Sequence, residues 1–496
     1  MSSTGRTIAK NATVLMASQL VTWGLTLILT IFVPRYLGAE NVGKLNFANS
    51  MWAIVAVFVT FGMDTLLTKE IARIPARAVS LFGNTVILRG GLQVLGFLAL
   101  AFYMWLFRNR YAPETTYVVF LVGFSSLVWQ FIGASQAVLQ GLERMEYISI
   151  ANVAGKAVNT LVCIAALLAG FSVYMVAVVA AIAALVTFSI ELVAQKRLTG
   201  SLKLRFERPE AGRMMRASFP YFLSSVFLVI YMQVDIVIIS LLVDERAVGW
   251  YGAADQLFGT FLFIPTVFIT AVFPALSRMY ETSADSLPKL MRKSWDLLIL
   301  IAIPIGLGLL VIAGPLVVLL FGPEFAPSGP ILALMGIVLI LTYQNILLGR
   351  FLIATDRQRS WTIVMATAAI ASVPLDFLLV PWCQRQFGNG AIGGALSFIV
   401  TELVMNIVGV WLLPRGSLGR SNVRVAVSGL IAGVVMVAAT WPLRNYFLGL
   451  PIVVGAAVYM ALIVILRVLP AEDWQLVGSL GRGAIQRLRR RRSTSS

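Results

Sequence analysis

The sequence predicts an all-α polytopic membrane protein of about 14 transmembrane helices: two parallel six-helix lobes plus two C-terminal helices. Three observations carry this. The 496 residues are 59% hydrophobic and only 12% charged, about half the charge of a soluble domain. Apolar runs long enough to cross a bilayer recur along the whole chain. The cations are distributed unevenly between alternate connecting segments.

A spanning helix needs about 20 apolar residues. Such runs fall at 12–33, 46–66, 82–106, 116–139, 148–169 and 172–194. They continue at 218–242, 250–272, 296–320, 328–352, 361–382 and 390–413, then at 423–441 and 448–469. The narrowest division is Gly170-Phe171-Ser172, where two spans share a very short turn. With the N-terminus inside, 29 of the 39 Lys and Arg fall in inner segments and 7 in outer ones. By the positive-inside rule, both termini are cytoplasmic. The net charge of +17 is therefore topogenic and faces lipid headgroups, and nucleic acid is not needed to explain it.

The chain also repeats itself. Leu37-Gly38-Ala39-Glu40-Asn41-Val42-Gly43 and Val243-Asp244-Glu245-Arg246-Ala247-Val248-Gly249 are both turns between spans. One offset lays Val42-Gly43 on Val248-Gly249 and Ala48-Asn49 on Ala254-Asp255. A long period in a hydrophobic chain indicates a duplicated bundle. Six helices per half bring both halves into the membrane in the same direction, so the repeats are parallel. The expected organisation is a lobe at 1–200, a second lobe at 201–414, two added helices at 415–470 and a basic amphipathic cytoplasmic tail at 471–496. The joint is the inner loop 195–217, rich in Lys and Arg.

Several chemistries are excluded. There is no histidine, so neither imidazole relays nor His-ligated metals are available. Cys163 and Cys383 make no disulfide framework or zinc motif. No Walker sequence occurs, and no outer loop is long enough to be a catalytic domain. No cleavable signal peptide is expected, because the first apolar run is too long. The expectation is a non-enzyme with no catalytic residues, no metal and no cofactor.

Ionisable residues inside spans are functional candidates. Arg89 and Lys156 lie at matching depth from the inner ends of the third and fifth spans. Two cations at one depth make a phosphate seat; snorkelling to the inner headgroups is the alternative. Asp64, at the inner end of the second span, could pair with either cation or be solvated. Asp235 and Asp255, toward the outer side of the seventh and eighth spans, could bind a coupling cation, close a gate or pair with Arg246. Glu402 falls near the middle of the twelfth span, where a lone carboxylate must be neutral, paired or in a wet cavity. Asp64, Asp235, Asp255 and Glu402 form the gating or ion-coupling set. Glu191 and Asp376 lie near span ends and read as structural. Pro220, Pro265, Pro304, Pro315 and Pro374 mark candidate bends.

The stretches Val-Pro-Arg-Tyr-Leu-Gly-Ala-Glu-Asn-Val-Gly at 33–43, Asp-Ile-Val-Ile-Ile-Ser-Leu-Leu-Val-Asp-Glu-Arg-Ala-Val-Gly-Trp-Tyr at 235–251 and Val-Phe-Pro-Ala-Leu-Ser-Arg at 272–278 carry a resemblance. Together they resemble polysaccharide-biosynthesis flippases, the polysaccharide transporter branch of the multidrug/oligosaccharidyl-lipid/polysaccharide exporter superfamily. The resemblance implies two lobes in a V, a central cationic cavity and alternating access. It implies transport of a polyprenyl-(di)phosphate-linked oligosaccharide from the cytoplasmic to the outer leaflet, for cell-surface glycan synthesis. The expected setting is the cell (plasma or inner) membrane. The expected partners are the lipid-linked oligosaccharide, the bilayer and glycan-assembly enzymes, with no nucleic acid and a monomeric state. The two added helices are similar to those of lipid II flippases. Those flippases carry arginine in the first helix, where this chain has none, and the cationic seat shifts to Arg89 and Lys156. The alternatives are a cation-coupled multidrug exporter of the same superfamily, which would want an anionic cavity, and an integral-membrane polysaccharide polymerase, which would want a large outer loop.

Overall fold

The computed structural model describes residues 3–201, 204–282, 286–414 and 416–468, with side-chain detail beginning at Ser18. The expected tail at 471–496 lies outside the described residues. Every element described is helical, which satisfies each span's backbone groups internally where the bilayer core offers no water. Twelve helices are long and apolar enough to cross a membrane. One of them, 18–60, is 43 residues long, and at about 1.5 Å per residue that is two crossings. The shorter apolar helix Gly449–Ile465 follows at the C-terminal end. Counted so, the described residues give the fourteen expected segments.

The helices are α1 Ser3–Thr60, α2 Met63–Arg73, α3 Ala78–Leu106, α4 Pro113–Gly141, α5 Met145–Leu168 and α6 Val173–Thr199. Then come α7 Arg208–Leu242, α8 Glu245–Phe261, α9 Phe263–Thr282, α10 Leu287–Phe321 and α11 Ser328–Ala354. Last are α12 Gln358–Phe387, α13 Ala391–Trp411, α14 Arg420–Thr440 and α15 Gly449–Ile465.

The turn expected at 37–43 is a break inside α1. Gly38 has φ 76° and ψ 167°, a conformation that a side chain would resist. A helix restarting there has unpaired N–H groups. Glu324 supplies an acceptor: its Oε1 takes a hydrogen bond from the Ala39 N–H at 3.1 Å. Trp250 Nε1 donates to the Glu324 carbonyl at 3.1 Å. The second crossing ends at Thr60, earlier than expected, because Phe61 and Gly62 take positive φ. The loop between α6 and α7 is also shorter than expected. Lys196 and Arg197 are the last turn of α6, and α7 begins at Arg208.

Contacts divide the chain into two units. The first comprises Met1–Thr260, Val317–Ile331 and Arg359–Met405. Its inner core joins Met63, Leu67 and Ile71 of α2 to Leu81, Phe82, Ala134 and Val138. Arg77 ties this region to α7 by ion pairs with Glu70 at 2.8 Å and Glu210 at 2.6 Å. The second comprises Phe261–Leu316, Leu332–Gln358 and Asn406–Ser496. There α14 and α15 pack on α10, with Gly429 and Gly433 against Leu300, Ile303 and Leu307. Asn422 donates to Asp296 Oδ1 at 2.7 Å and to the Arg292 carbonyl at 3.1 Å. Of the expected bends, Pro265 lies just past the break between α8 and α9. Pro220, Pro304, Pro315 and Pro374 sit inside unbroken helices.

Candidate functional site

The first unit holds two clusters of charge within its helices. The basic one is built on α3. Arg89 is fully buried. Its Nη2 donates to Asp64 Oδ1 at 2.6 Å, and its Nη1 to the Gln130 carbonyl on α4 at 2.6 Å. Its Nε has no hydrogen-bond partner among the described residues. Gly133 makes the fit possible: a Cβ there would lie 3.1 Å from Nη1 and 3.4 Å from Asp64 Oδ2. Asp64 belongs to the first turn of α2, beyond the break at Gly62, and its side chain is 41% exposed. The structure thus brings Arg89 and Asp64 together. Asp64 is ion-paired rather than merely solvated, and Arg89 is enclosed rather than snorkelling.

Lys156 lies on α5 and is half-buried. No ion pair to it is formed among the described residues. A cation within a bilayer and without an acid beside it is costly unless an anion or water reaches it.

The acidic cluster is assembled by α7, α8, α12 and α13. Asp235 Oδ2 accepts a hydrogen bond from the Tyr251 hydroxyl at 2.6 Å. The Tyr231 hydroxyl donates to Glu402 Oε1, so Glu402 is not a lone carboxylate. Asp255, one turn beyond Tyr251, lies within electrostatic reach of Asp235 and Tyr231. Three of the residues singled out in the sequence, Asp235, Asp255 and Glu402, therefore meet. Arg246 makes no ion pair with Asp235 or Asp255 among the described residues.

Asp376 joins them, and the sequence reading missed it. It is fully buried with Asp235 and Ser397 as its polar neighbours, and among the described residues neither of its oxygens has a partner at hydrogen-bond distance. Its apolar run stops at Pro381-Trp382, which placed it near a span end. The helix itself continues to Phe387, so Asp376 is interior. The available signal was Gln384-Arg385-Gln386, polar yet still helical. Asp255 and Asp376 both neighbour Asp235, and Tyr231 links the group to Glu402; like charges gathered away from water repel unless a proton or a cation comes among them.

Solved structures share this architecture. The chain superposes on "Lipid II flippase MurJ, inward closed conformation" with TM-score 0.69 and 13% identity, over 92% of this chain and 98% of that one. It superposes on an inward-facing multidrug resistance MATE family transporter of the MOP superfamily with TM-score 0.61 and 17% identity, over 78% and 93%. At such identities the likeness is one of fold. In sequence, it is 24% identical over 177 residues to the "Probable low-salt glycan biosynthesis flippase Agl15" of Haloferax volcanii, which is 35% of this chain and 37% of that protein. This alignment thus spans well under half of the curated relative. Residues 8–280 match the family described as "Polysaccharide biosynthesis protein". That match takes in more than half of the sequence, and the chain belongs to the polysaccharide biosynthesis protein family.

Proposed function

We propose that the protein is a flippase. It moves a polyprenyl-(di)phosphate-linked oligosaccharide from the cytoplasmic to the outer leaflet by alternating access between halves 1–200 and 201–414. It does so in the plasma or inner membrane with both termini cytoplasmic. The observation that carries this reading is Lys156, half-buried within a membrane helix and without an acid partner among the described residues. A diphosphate headgroup is the anion that would offset its charge, and the attraction strengthens where water is excluded. Arg89 is engaged by Asp64 and Gln130. Its part in the seat is to hold Asp64 until a competing phosphate draws the guanidinium away. The acidic cluster of Asp235, Asp255, Asp376 and Glu402 is the proposed coupling site, where a cation or proton enters and leaves.

The test is deletion of the gene in its host, followed by analysis of lipid-linked sugars on each leaflet. Accumulation of one species on the inner leaflet, restored by wild type and not by Lys156→Gln, supports the reading. Unchanged distribution of every lipid-linked sugar rejects it. A second reading, a cation-coupled multidrug exporter, is favoured by the acidic cluster alone. It requires cationic drugs to compete for the protein, and lipid-linked anions not to.

A further inference from the structure

A third polar cluster lies outside both of these. Glu191 stands on α6, eight residues before its end at Thr199, with its side chain fully enclosed. Its Oε1 accepts a hydrogen bond from Gln136 Nε2 of α4 at 2.8 Å. The same nitrogen donates to Asn152 Oδ1 of α5 at 3.1 Å. One turn along, Gln195 is equally enclosed, and its Oε1 accepts from the Ser135 hydroxyl at 3.2 Å. Among the described residues, Glu191 Oε2 and Gln195 Nε2 of this nest have no partner at hydrogen-bond distance. Glu191 forms no ion pair among the described residues. From α4 it meets Ser135 and Gln136, neither of them titratable. On α5 the titratable groups flanking Asn152 are Tyr147 and Lys156, and on α6 the charged neighbours are Lys196 and Arg197; none is hydrogen-bonded to it.

A bare carboxylate in such a place lacks both a counter-charge and water, and is strongly disfavoured. A proton on Oε2 removes the charge. We propose that Glu191 is a proton-binding site within the α4–α5–α6 cluster. Its Oε2 takes a proton from hydronium, leaving water, while the three helices are packed as here. It returns the proton to water when the nest opens. The site stands whatever lipid the chain carries.

Infrared spectroscopy of the purified full chain in lipid nanodiscs tests this. At neutral pH the wild type should show a protonated-carboxyl C=O stretch that shifts in D2O. In Glu191→Gln that component should be lost, while helix content and melting temperature are kept. In Gln136→Met, which removes the donor to Oε1, the band should move to higher frequency instead of vanishing, so one variant's failure to fold leaves the other decisive. The proposal is overturned if wild type and Glu191→Gln have the same protonated-carboxyl absorption. Loss of the wild-type band on adding sodium chloride at constant pH overturns it too, by assigning the site to sodium.

Discussion

Gly43 and Gly249 pack against one another, each facing the backbone four residues before its counterpart. A Cβ on Gly43 would fall 1.6 Å from the Glu245 carbonyl oxygen and 3.0 Å from the Gly249 nitrogen. A Cβ on Gly249 would fall 1.9 Å from the Ala39 carbonyl oxygen. One turn on, a Cβ on Gly252 would fall 1.9 Å from Asn46 Nδ2. These pairs are equivalent positions of the repeat read from the sequence, so the two turns meet about a local two-fold axis, self-complementary in the manner of a symmetric dimer. Gly43→Ala and Gly249→Ala should each force the backbones apart and cost about 1–3 kcal/mol. Thermal unfolding in detergent checks this against Gly24→Ala, where nothing lies within 4 Å. Equal melting temperatures for all three would show that the contact yields freely.

The Arg89–Asp64 pair is unequal, and its variants should be too. Asp64→Asn takes the counter-charge from a fully buried cation, a loss of about 1–3 kcal/mol once the exposure of the carboxylate is discounted. Arg89→Gln leaves behind a carboxylate that water already reaches, and should cost less. The double variant should regain part of the Asp64→Asn loss. A melting series that ranks the two single variants the other way contradicts this account.

Tyr343 mends a gap made by proline. Pro265 has no N–H to give the carbonyl four residues earlier, which is that of Phe261. The Tyr343 hydroxyl donates to that oxygen at 2.7 Å. Tyr343→Phe should therefore lower stability by about 1–2 kcal/mol, the cost of leaving a part-buried carbonyl unpaired. Tyr343→Phe combined with Pro265→Ala should recover most of it, since alanine restores the donor.

Topology can be read with thiol reagents. Cys163 and Cys383 are buried and should stay silent. Cysteine at Ser201 should react only with reagents admitted to the cytoplasm. Cysteine at Asn109, exposed after α3, should react from outside. Exchanged labelling would invert the orientation derived from the charge bias.

Helix number was legible because the bilayer dictates the length and polarity of a span, and because turn residues mark each end. The basic residues Arg89 and Lys156 were legible as rare charges. Their partners were less so: pairing is a three-dimensional fact, and Asp64 offered two choices of cation. Asp376 and Glu191 were misplaced for a common reason. Both α12 and α6 outlast their apolar runs by several polar residues, so a carboxylate that looks terminal in hydropathy is interior in the helix. The cluster joining Asp235, Asp255, Asp376 and Glu402 draws on four helices, and no local spacing announces it.

The seam between α10 and the pair α14–α15 behaves differently in lipid and in water. Acyl chains are as apolar as Leu300, Ile303 and Leu307, so excluding them from Gly429 and Gly433 brings no hydrophobic gain. What remains is shape, the Tyr459 hydroxyl on the Leu300 carbonyl at 3.0 Å, and the polar clasp of Asn422 on Asp296 and Arg292 at one end. The seam is thus a hinged zip, stitched by the clasp and by the Tyr459 hydroxyl, and elsewhere held by fit among the described residues. Lipids or detergents slim enough to slip between the glycines would open it from the unclasped end.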